Sequence, residues 1–320
     1  MTQGSGILVS FIIPVYKVED VIGPCLASLH APGLDESRYE LIFVNDGTPD
    51  ASMTPVRELA GNHGNVIIAE QENAGVSSAR NHGLELARGC FVTFLDADDH
   101  IDPRVLENVL GELEANPDTD ILHLDIMTED GRENYAFSGR FKDGAAYSQG
   151  DFKGYLRCTS CGNFYRAAAL REAGIRFDES LTNAEDSIFY AECLTAFRVF
   201  RFLDRPFYFV RRREGSASRV YTPLLVRKTL NAADRASGLK KTAATQFRKD
   251  VFNTLLYSLL CSAATLAVKA GMTARQFGEL GIKRYLPVDY GSLDTTARIK
   301  AFALNSDLTL FYTITRLQGK

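Results

Sequence analysis

No glycine-rich nucleotide loop is present in this chain: across its 320 residues neither G-x-G-x-x-G nor G-x-x-x-x-G-K-[ST] occurs. The first absence disfavours dinucleotide oxidoreductases and the second disfavours P-loop enzymes, whose phosphates need those backbone cradles. An excess of positive charge is also missing. With 36 Lys and Arg against 40 Asp and Glu, a net charge of −4 and a pI near 5.8, the chain lacks the basic footprint of a nucleic-acid binder. The six cysteines are scattered, and Cys158 with Cys161 makes one C-x-x-C without a second pair or neighbouring histidines. That is a weak zinc or redox signal, better read as burial or chance. The N-terminus does not read as a signal peptide, so reduced thiols in a cytoplasmic protein are expected. Long apolar runs are scarce too. Residues 251–268 form an uncharged stretch of threshold length, but Asn253, Thr254, Ser258, Ser262 and Thr265 make it a buried or interfacial helix rather than a bilayer span.

What is present is ample apolar content, 45%, arranged in alternating periods. Over the first 126 residues, strand-like runs at 7–14, 40–44, 66–69, 90–95 and 121–126 alternate with helical patterns. Val21, Ile22, Cys25, Leu26 and Leu29 recur at helical spacing, as do Met53, Val56, Leu59 and Ala60, and a further helix is expected over 75–87. Asp102 and Pro103 open a helix whose stripe is Val105, Leu106, Val109, Leu110 and Leu113. Strands alternating with helices mean a parallel α/β sheet, closed in this half by the strand at 121–126.

Ligands of such sheets bind at the carboxyl ends of the strands, and polar residues collect there. PVYKVED follows the first strand, NDGTPD the second, and FVTFLDADD ends in Asp96, Asp98 and Asp99. Two carboxylates about 4 Å apart repel by roughly 4 kcal/mol at an effective dielectric near 20, so this cluster calls for a cation, a proton or an arginine. Alternate residues of an extended segment point the same way, which lets Asp96 and Asp98 converge while Ala97 faces elsewhere. That pair suits Mg or Mn together with a phosphate-bearing substrate; the competing reading is an acidic turn in which Asp102 caps the next helix. Tyr16 offers a face for a nucleobase, and Asp46 can accept from a base N–H, against a loop aromatic and a simple turn aspartate beside Gly47. Arg80, on the preceding helix, can steady Asp96 or Asp98. Further on, Arg211, Arg212, Arg213 and Ser216 suit phosphate oxygens, against a solvated basic loop or one that meets anionic lipid headgroups.

In order and spacing, PVYKVED, VNDGTPD, NAGVSSARNHGLELARG and FLDADD resemble the family 2 glycosyltransferases, with looser extension to IRFDESLTNAEDSIFYAECL and RPFYFVRRREGSAS. The resemblance covers about residues 5–219. It implies a GT-A nucleotide-sugar-binding fold, a mostly parallel central sheet flanked by helices, and an inverting transferase that uses a divalent metal. By that resemblance Pro14, Tyr16 and Glu19 line the nucleoside pocket, Asp46 reads the base and Arg80 supports the acidic motif. Asp96 and Asp98 are the DXD pair on the metal-bridged diphosphate, with Asp98 the surer ligand and Asp99 the adjacent alternative. Ala97 stands where serine is usual, and Asn45–Asp46 replaces the commoner acidic pair. The general base comes from Glu185 or Asp186, with Asp186 favoured; read by themselves, the two are helix-start acids favoured by the macrodipole. Arg211, Arg213 and Ser216 are candidates for the diphosphate.

The expected organisation is a GT-A domain over 1–220, divided into a nucleotide-binding half (1–126) and an acceptor half (127–220), then a helical appendage over 221–320. Leu255, Leu259 and Leu260 share one side of a long helix there, and Leu308, Leu310, Phe311, Ile314 and Leu317 make a final amphipathic pattern. Such helices pack on a core, dimerise, or touch the membrane at the inner face of the cell, where lipid-linked acceptors reside. Tyr16 and Asp46 suit a UDP-sugar donor, and the expected acceptor is a hydroxyl of a glycan or lipid-linked saccharide. The competing function is a noncatalytic sugar-nucleotide-binding or scaffold subunit of a polysaccharide assembly complex.

Overall fold

The computed structural model describes residues 6–131, 134–135, 141–152, 159–211, 221–289, 293 and 295–318. The chain folds as two compact units, one of Met1–Ser148, Thr159–Glu179 and Ala196–Arg212, the other of Gln149–Cys158, Ser180–Thr195 and Arg213–Lys320.

In chain order the first unit holds β1 (Val9–Val15), α1 (Gly23–Leu29), β2 (Tyr39–Asp46), α2 (Met53–Asn62), β3 (Val66–Gln71), α3 (Val76–Leu86), β4 (Phe91–Phe94), β5 (His100–Ile101), α4 (Pro103–Ala115), β6 (Ile121–Thr128), β7 (Asn134–Tyr135), β8 (Ala146–Tyr147), β9 (Asn163–Arg166), α5 (Ala167–Ala173) and β10 (Phe200–Val210). The strands run β3-β2-β1-β4-β9-β6-β10-β5, with β7 on β6 and β8 on β10. β3, β2, β1 and β4 are mutually parallel, as the alternating pattern requires. Beyond β4 the sheet is mixed: β9 lies antiparallel between β4 and β6, so β6 is an interior strand rather than the closing one.

Strands buried on both faces read as continuous apolar runs, and β2 shows why. Its Leu41 and Phe43 enter a core with Phe11, Ile13, the α1 residues Cys25, Leu26 and Leu29, and the α4 stripe. Its Ile42 and Val44 point the other way, to Ala69 and Ala79. Each such side chain contributes about 1.5–3 kcal/mol when fully buried. α3 lies close against β1: a Cβ at Gly83 would overlap the Ile12 side chain. Asp102 caps α4, accepting from the Arg104 N–H at 2.9 Å.

The second unit contains α6 (Glu185–Ala196), α7 (Pro223–Lys241), α8 (Gln246–Lys269), α9 (Ala274–Glu279), α10 (Thr295–Ser306) and α11 (Leu308–Gln318). Among the described residues, 149–152 and 180–195 group with the C-terminal helices. The cause is visible in α6, which buries Ile188, Phe189, Tyr190, Cys193 and Leu194 and is tied to α7 by Asn183 Nδ2 donating to Thr229 Oγ1 at 2.9 Å. α7, α8 and α9 begin at threonine caps.

α8 is long and apolar enough to cross a membrane, yet 61% of its most apolar window is buried inside the structure. Its Asn253 is buried and exchanges hydrogen bonds with the backbone of Asp289 at 2.8 and 3.0 Å, so the helix satisfies its polar group within the protein. Leu255, Leu259 and Leu260 are buried as expected. In α11 the expected stripe is out of phase. Phe311, Tyr312 and Thr315 are buried, whereas Leu310 and Leu317 are 48% and 67% exposed, as are Ile299 and Phe302 of α10. Tyr312 is drawn inward because its hydroxyl donates to the Met272 carbonyl at 2.7 Å.

Candidate nucleotide-binding site

At the carboxyl ends of β1 and β2, the two following loops are tied to each other. The Lys17 N–H donates to Thr48 Oγ1 (2.8 Å), the Val18 N–H to Ser52 Oγ (2.8 Å), and the Ala51 N–H to Glu19 Oε2 (2.8 Å). Glu19 is therefore a brace between loops while remaining exposed. Tyr16, after the partly exposed Pro14, keeps 41% of its surface in solvent, with Lys17 Nζ 5.1 Å from its ring centroid. Lys17 holds a φ of +53°, a conformation that costs a non-glycine residue about 1–2 kcal/mol.

Asp46 ends β2 nearly buried, 3% exposed. Its Oδ1 accepts from Gln71 Nε2 and from the Ala74 N–H, both at 2.8 Å, and its Oδ2 from the Gly75 N–H at 2.9 Å. In this way Asp46 fixes the segment that enters α3. Gly47 beside it needs its missing side chain twice over: φ is +64°, and a Cβ would come within 2.9 Å of the Asn73 nitrogen.

The acidic run after β4 sorts by burial in alternation. Asp96 and Asp98 are partly exposed, whereas Ala97 and Asp99 are buried, 2% and 7% exposed. Arg80 is buried (4% exposed) under the pair, and its Nη2 donates to Asp96 Oδ1 at 2.8 Å while its guanidinium lies 5.1 Å from the Phe177 ring centroid. Such a charged, desolvated contact orients Asp96 and offsets part of the repulsion within the run. Cys161 Sγ lies 3.9 Å from Asp96 Oδ2.

Asp99 is different in kind. Its Oδ2 accepts from the Tyr208 hydroxyl at 2.7 Å and its Oδ1 from the Arg211 N–H at 2.8 Å. The same Tyr208 oxygen accepts from the Asp96 N–H at 3.2 Å, and the Asp99 N–H donates to the Asp96 carbonyl at 2.9 Å, closing the turn. Burial pushes the Asp99 carboxyl up to about 8, Asp96 and Asp98 add to the rise, and the two hydrogen bonds pull against it. Asp99 thus faces inward as a brace, leaving Asp96 and Asp98 as the accessible pair. Their combined negative potential is also felt by Cys25 of α1, whose thiol is pushed up chiefly by burial and then by Asp99, Asp98 and Asp96. Two accessible carboxylates with oxygen donors only form a set that suits a hard divalent cation.

Arg211 places its backbone on Asp99 and its Nε 3.9 Å from Glu129, so its side chain lies near a carboxylate. Arg213 and Ser216, like Arg212 and Cys158, lie outside the described residues. In the second unit, Glu185 and Asp186 open α6 just after Ala184, which has a φ of +60°. Asp186 Oδ1 accepts from the Ser187 N–H at 2.7 Å. Among the described residues, Lys17 and Ala184 are the non-glycine positions at positive φ, and each adjoins an expected site residue. The braces Thr48, Ser52, Gln71 and Tyr208 had no signal in the sequence beyond polar character or, for Tyr208, an aromatic run.

The model of Glycosyl transferase family 2 matches residues 10–174. The "Uncharacterized glycosyltransferase EpsJ" of Bacillus subtilis is 29% identical over 227 residues, which span 68% of this chain and 65% of that protein, just under two thirds of its length. The crystal structure of S. aureus TarS 1–349 in complex with UDP-GlcNAc superposes with a TM-score of 0.62 at 20% identity, covering 98% of this chain and 93% of that one. The mannosyltransferase PcManGT from Pyrobaculum calidifontis, in complex with GDP-Man and Mn2+, gives a TM-score of 0.55 at 16% identity, covering 98% and 87%. The sheet order with its appended helices is thus the GT-A fold.

Proposed function

The chain belongs to glycosyl transferase family 2, and on that footing we propose that it is a metal-dependent, inverting glycosyltransferase that moves a sugar from a UDP-sugar to a hydroxyl of a glycan or lipid-linked saccharide. The observation that carries this reading is the pair Asp96 and Asp98, both partly exposed at the end of β4 while Ala97 and Asp99 between and after them are buried. A protein gains nothing in stability from crowding carboxylates at one strand end; a cation and a diphosphate give the arrangement a use.

In this reading Asp98 and Asp96 hold Mn2+ or Mg2+, and Arg80 keeps Asp96 in place. When bound, the ion neutralises charge on the diphosphate leaving group. Tyr16 stacks on the base, Pro14 and Glu19 line the nucleoside pocket, and Asp46 reads the base with the remaining lone pair of Oδ2, which accepts one described hydrogen bond. UDP is favoured because Asp46 suits uracil and because TarS is seen with UDP-GlcNAc. Arg211, Arg213 and Ser216 are the candidates for diphosphate oxygens. Asp186, with Glu185 as its neighbour, takes the proton of the acceptor hydroxyl as that oxygen attacks the anomeric carbon, so the sugar carbon inverts without a covalent enzyme intermediate. The setting is the cytoplasmic side of surface-polysaccharide assembly. The exposed Ile299, Phe302, Leu310 and Leu317 of α10 and α11 suit peripheral membrane contact or self-association.

The test is a screen of UDP- and GDP-sugars for transfer and slow hydrolysis, with and without Mn2+. The expected result is metal-dependent turnover of a UDP-sugar. Asp186→Asn is expected to keep donor binding while losing transfer by about 10²- to 10⁴-fold. Full transfer by that variant rejects the base assignment, and indifference of the wild-type protein to every donor rejects the catalytic reading.

A further inference from the structure

At the edge of the sheet opposite the acidic pair, where the strands begin, two helix-to-strand connections meet. His30 follows α1, Glu36 precedes β2 and His63 follows α2. Glu36 Oε1 lies 2.9 Å from His30 Nδ1, and Glu36 Oε2 lies 2.9 Å from His63 Nδ1. The two imidazole centroids are 4.1 Å apart, and one ligand atom from each of the three residues falls within 4.8 Å of the others. Ligand atoms around a tetrahedral ion with bonds of about 2.0–2.2 Å stand about 3.3–3.6 Å apart, so small side-chain adjustments admit one.

The chemistry of the three residues fits the same conclusion. The His30 side chain is 7% exposed, and its Nδ1 is the ring nitrogen that faces Glu36. Arg38, two residues after Glu36, is spent on Glu107 and Glu114, each at 2.9 Å, and Asp35 adds a further carboxylate. His63 and Glu36 keep 30% and 34% exposure, which gives an ion a way in.

We propose that His30, Glu36 and His63 form a second metal site, separate from the acidic pair, that takes a transition-metal ion, with Zn2+ the best match. Two imidazoles and one carboxylate are a zinc donor set with water in the fourth position, whereas Mg2+ and Mn2+ favour all-oxygen sites such as Asp96 and Asp98. The ion would clasp the α1–β2 connection to the α2–β3 connection.

The experiment uses full-length, metal-stripped protein carrying Asp98→Asn, so that the acidic pair does not compete. Zn2+ titration is expected to show one site per chain and a rise in thermal midpoint, and Co2+ is expected to give the intense visible absorption of a tetrahedral site. Adding His63→Gln or Glu36→Gln is expected to weaken Zn2+ at least tenfold and to abolish the Co2+ spectrum, while circular dichroism remains that of the parent. Absence of saturable Zn2+ binding in the parent, or equal binding in both added variants, overturns the site and leaves a hydrogen-bonded His-Glu-His cluster.

Discussion

The two edges of one sheet treat charge in opposite ways. At the edge where the strands begin, Glu40 of β2 is fully buried and fully used, accepting from Ser10 Oγ (2.6 Å), the Arg88 N–H (2.7 Å) and the Arg88 guanidinium (2.8 Å). Asp120, just before β6, is similarly engaged by Arg166 and by the N–H groups of Arg198 and Val199 at 2.7 and 3.0 Å. At the edge where the strands end, Asp96 and Asp98 stay partly exposed, and the buried Arg80 and Asp99 lie beside them, Arg80 on Asp96 and Asp99 braced by Tyr208 and the Arg211 N–H. A buried carboxylate whose lone pairs are filled holds the fold, whereas the accessible Asp96 and Asp98 are the proposed seat of the cation. His30, Glu36 and His63 break this division, being polar, clustered and incompletely partnered on the structural edge, which is why they merit a metal titration.

The comparison predicts that the two edges fail differently. The largest effect is expected for Asp98→Ala, about a 10²- to 10³-fold loss of transfer, equivalent to about 3–4 kcal/mol in the barrier. The thermal midpoint of the metal-free variant should fall by less than that of Glu40→Ala; an equal or larger drop would show that Asp98 is structural. Next comes Glu40→Ala, which takes the acceptor from the Ser10 hydroxyl and from the Arg88 N–H and should cost about 3 kcal/mol of stability by denaturant titration, with transfer per folded molecule near wild type. A selective loss of activity there would erase the distinction between the edges. The smallest is Tyr208→Phe. Loss of one hydroxyl takes a donor from Asp99 and an acceptor from the Asp96 N–H, and should cost about 1–2 kcal/mol. Because that bond closes the acidic turn, its effect on donor affinity measures how far the brace tunes the pair.

What could be read in the sequence follows from the range of the interactions involved. β1 to β4 and their helices were legible because buried strands, helical stripes and Gly or Pro punctuation are local signals, and Asp102 with Pro103 marked the start of α4 correctly. β9 was not, since four residues, NFYR, become an antiparallel insertion only by pairing with Phe91 and Ile121, far apart in sequence. The acidic run stood out in the sequence, but the difference in burial among its members did not. Asp99 looks equivalent to its neighbours until Tyr208, 109 residues away, supplies its partner. The phase of α11 was misjudged because the Tyr312 hydroxyl finds the Met272 carbonyl, 40 residues back. His30, Glu36 and His63 share no motif spacing, and only the two connections that carry them bring them together.

In the proposed function, Asp96 and Asp98 carry the metal and the diphosphate. Calorimetric binding of UDP with and without Mn2+, in wild type and in Asp98→Asn, tests it most directly. The expected result is at least a tenfold gain in UDP affinity from Mn2+ in the wild-type protein, about 1.4 kcal/mol, and none in the variant. An equal gain in both proteins, or UDP binding by the wild type that ignores Mn2+, would contradict the assignment.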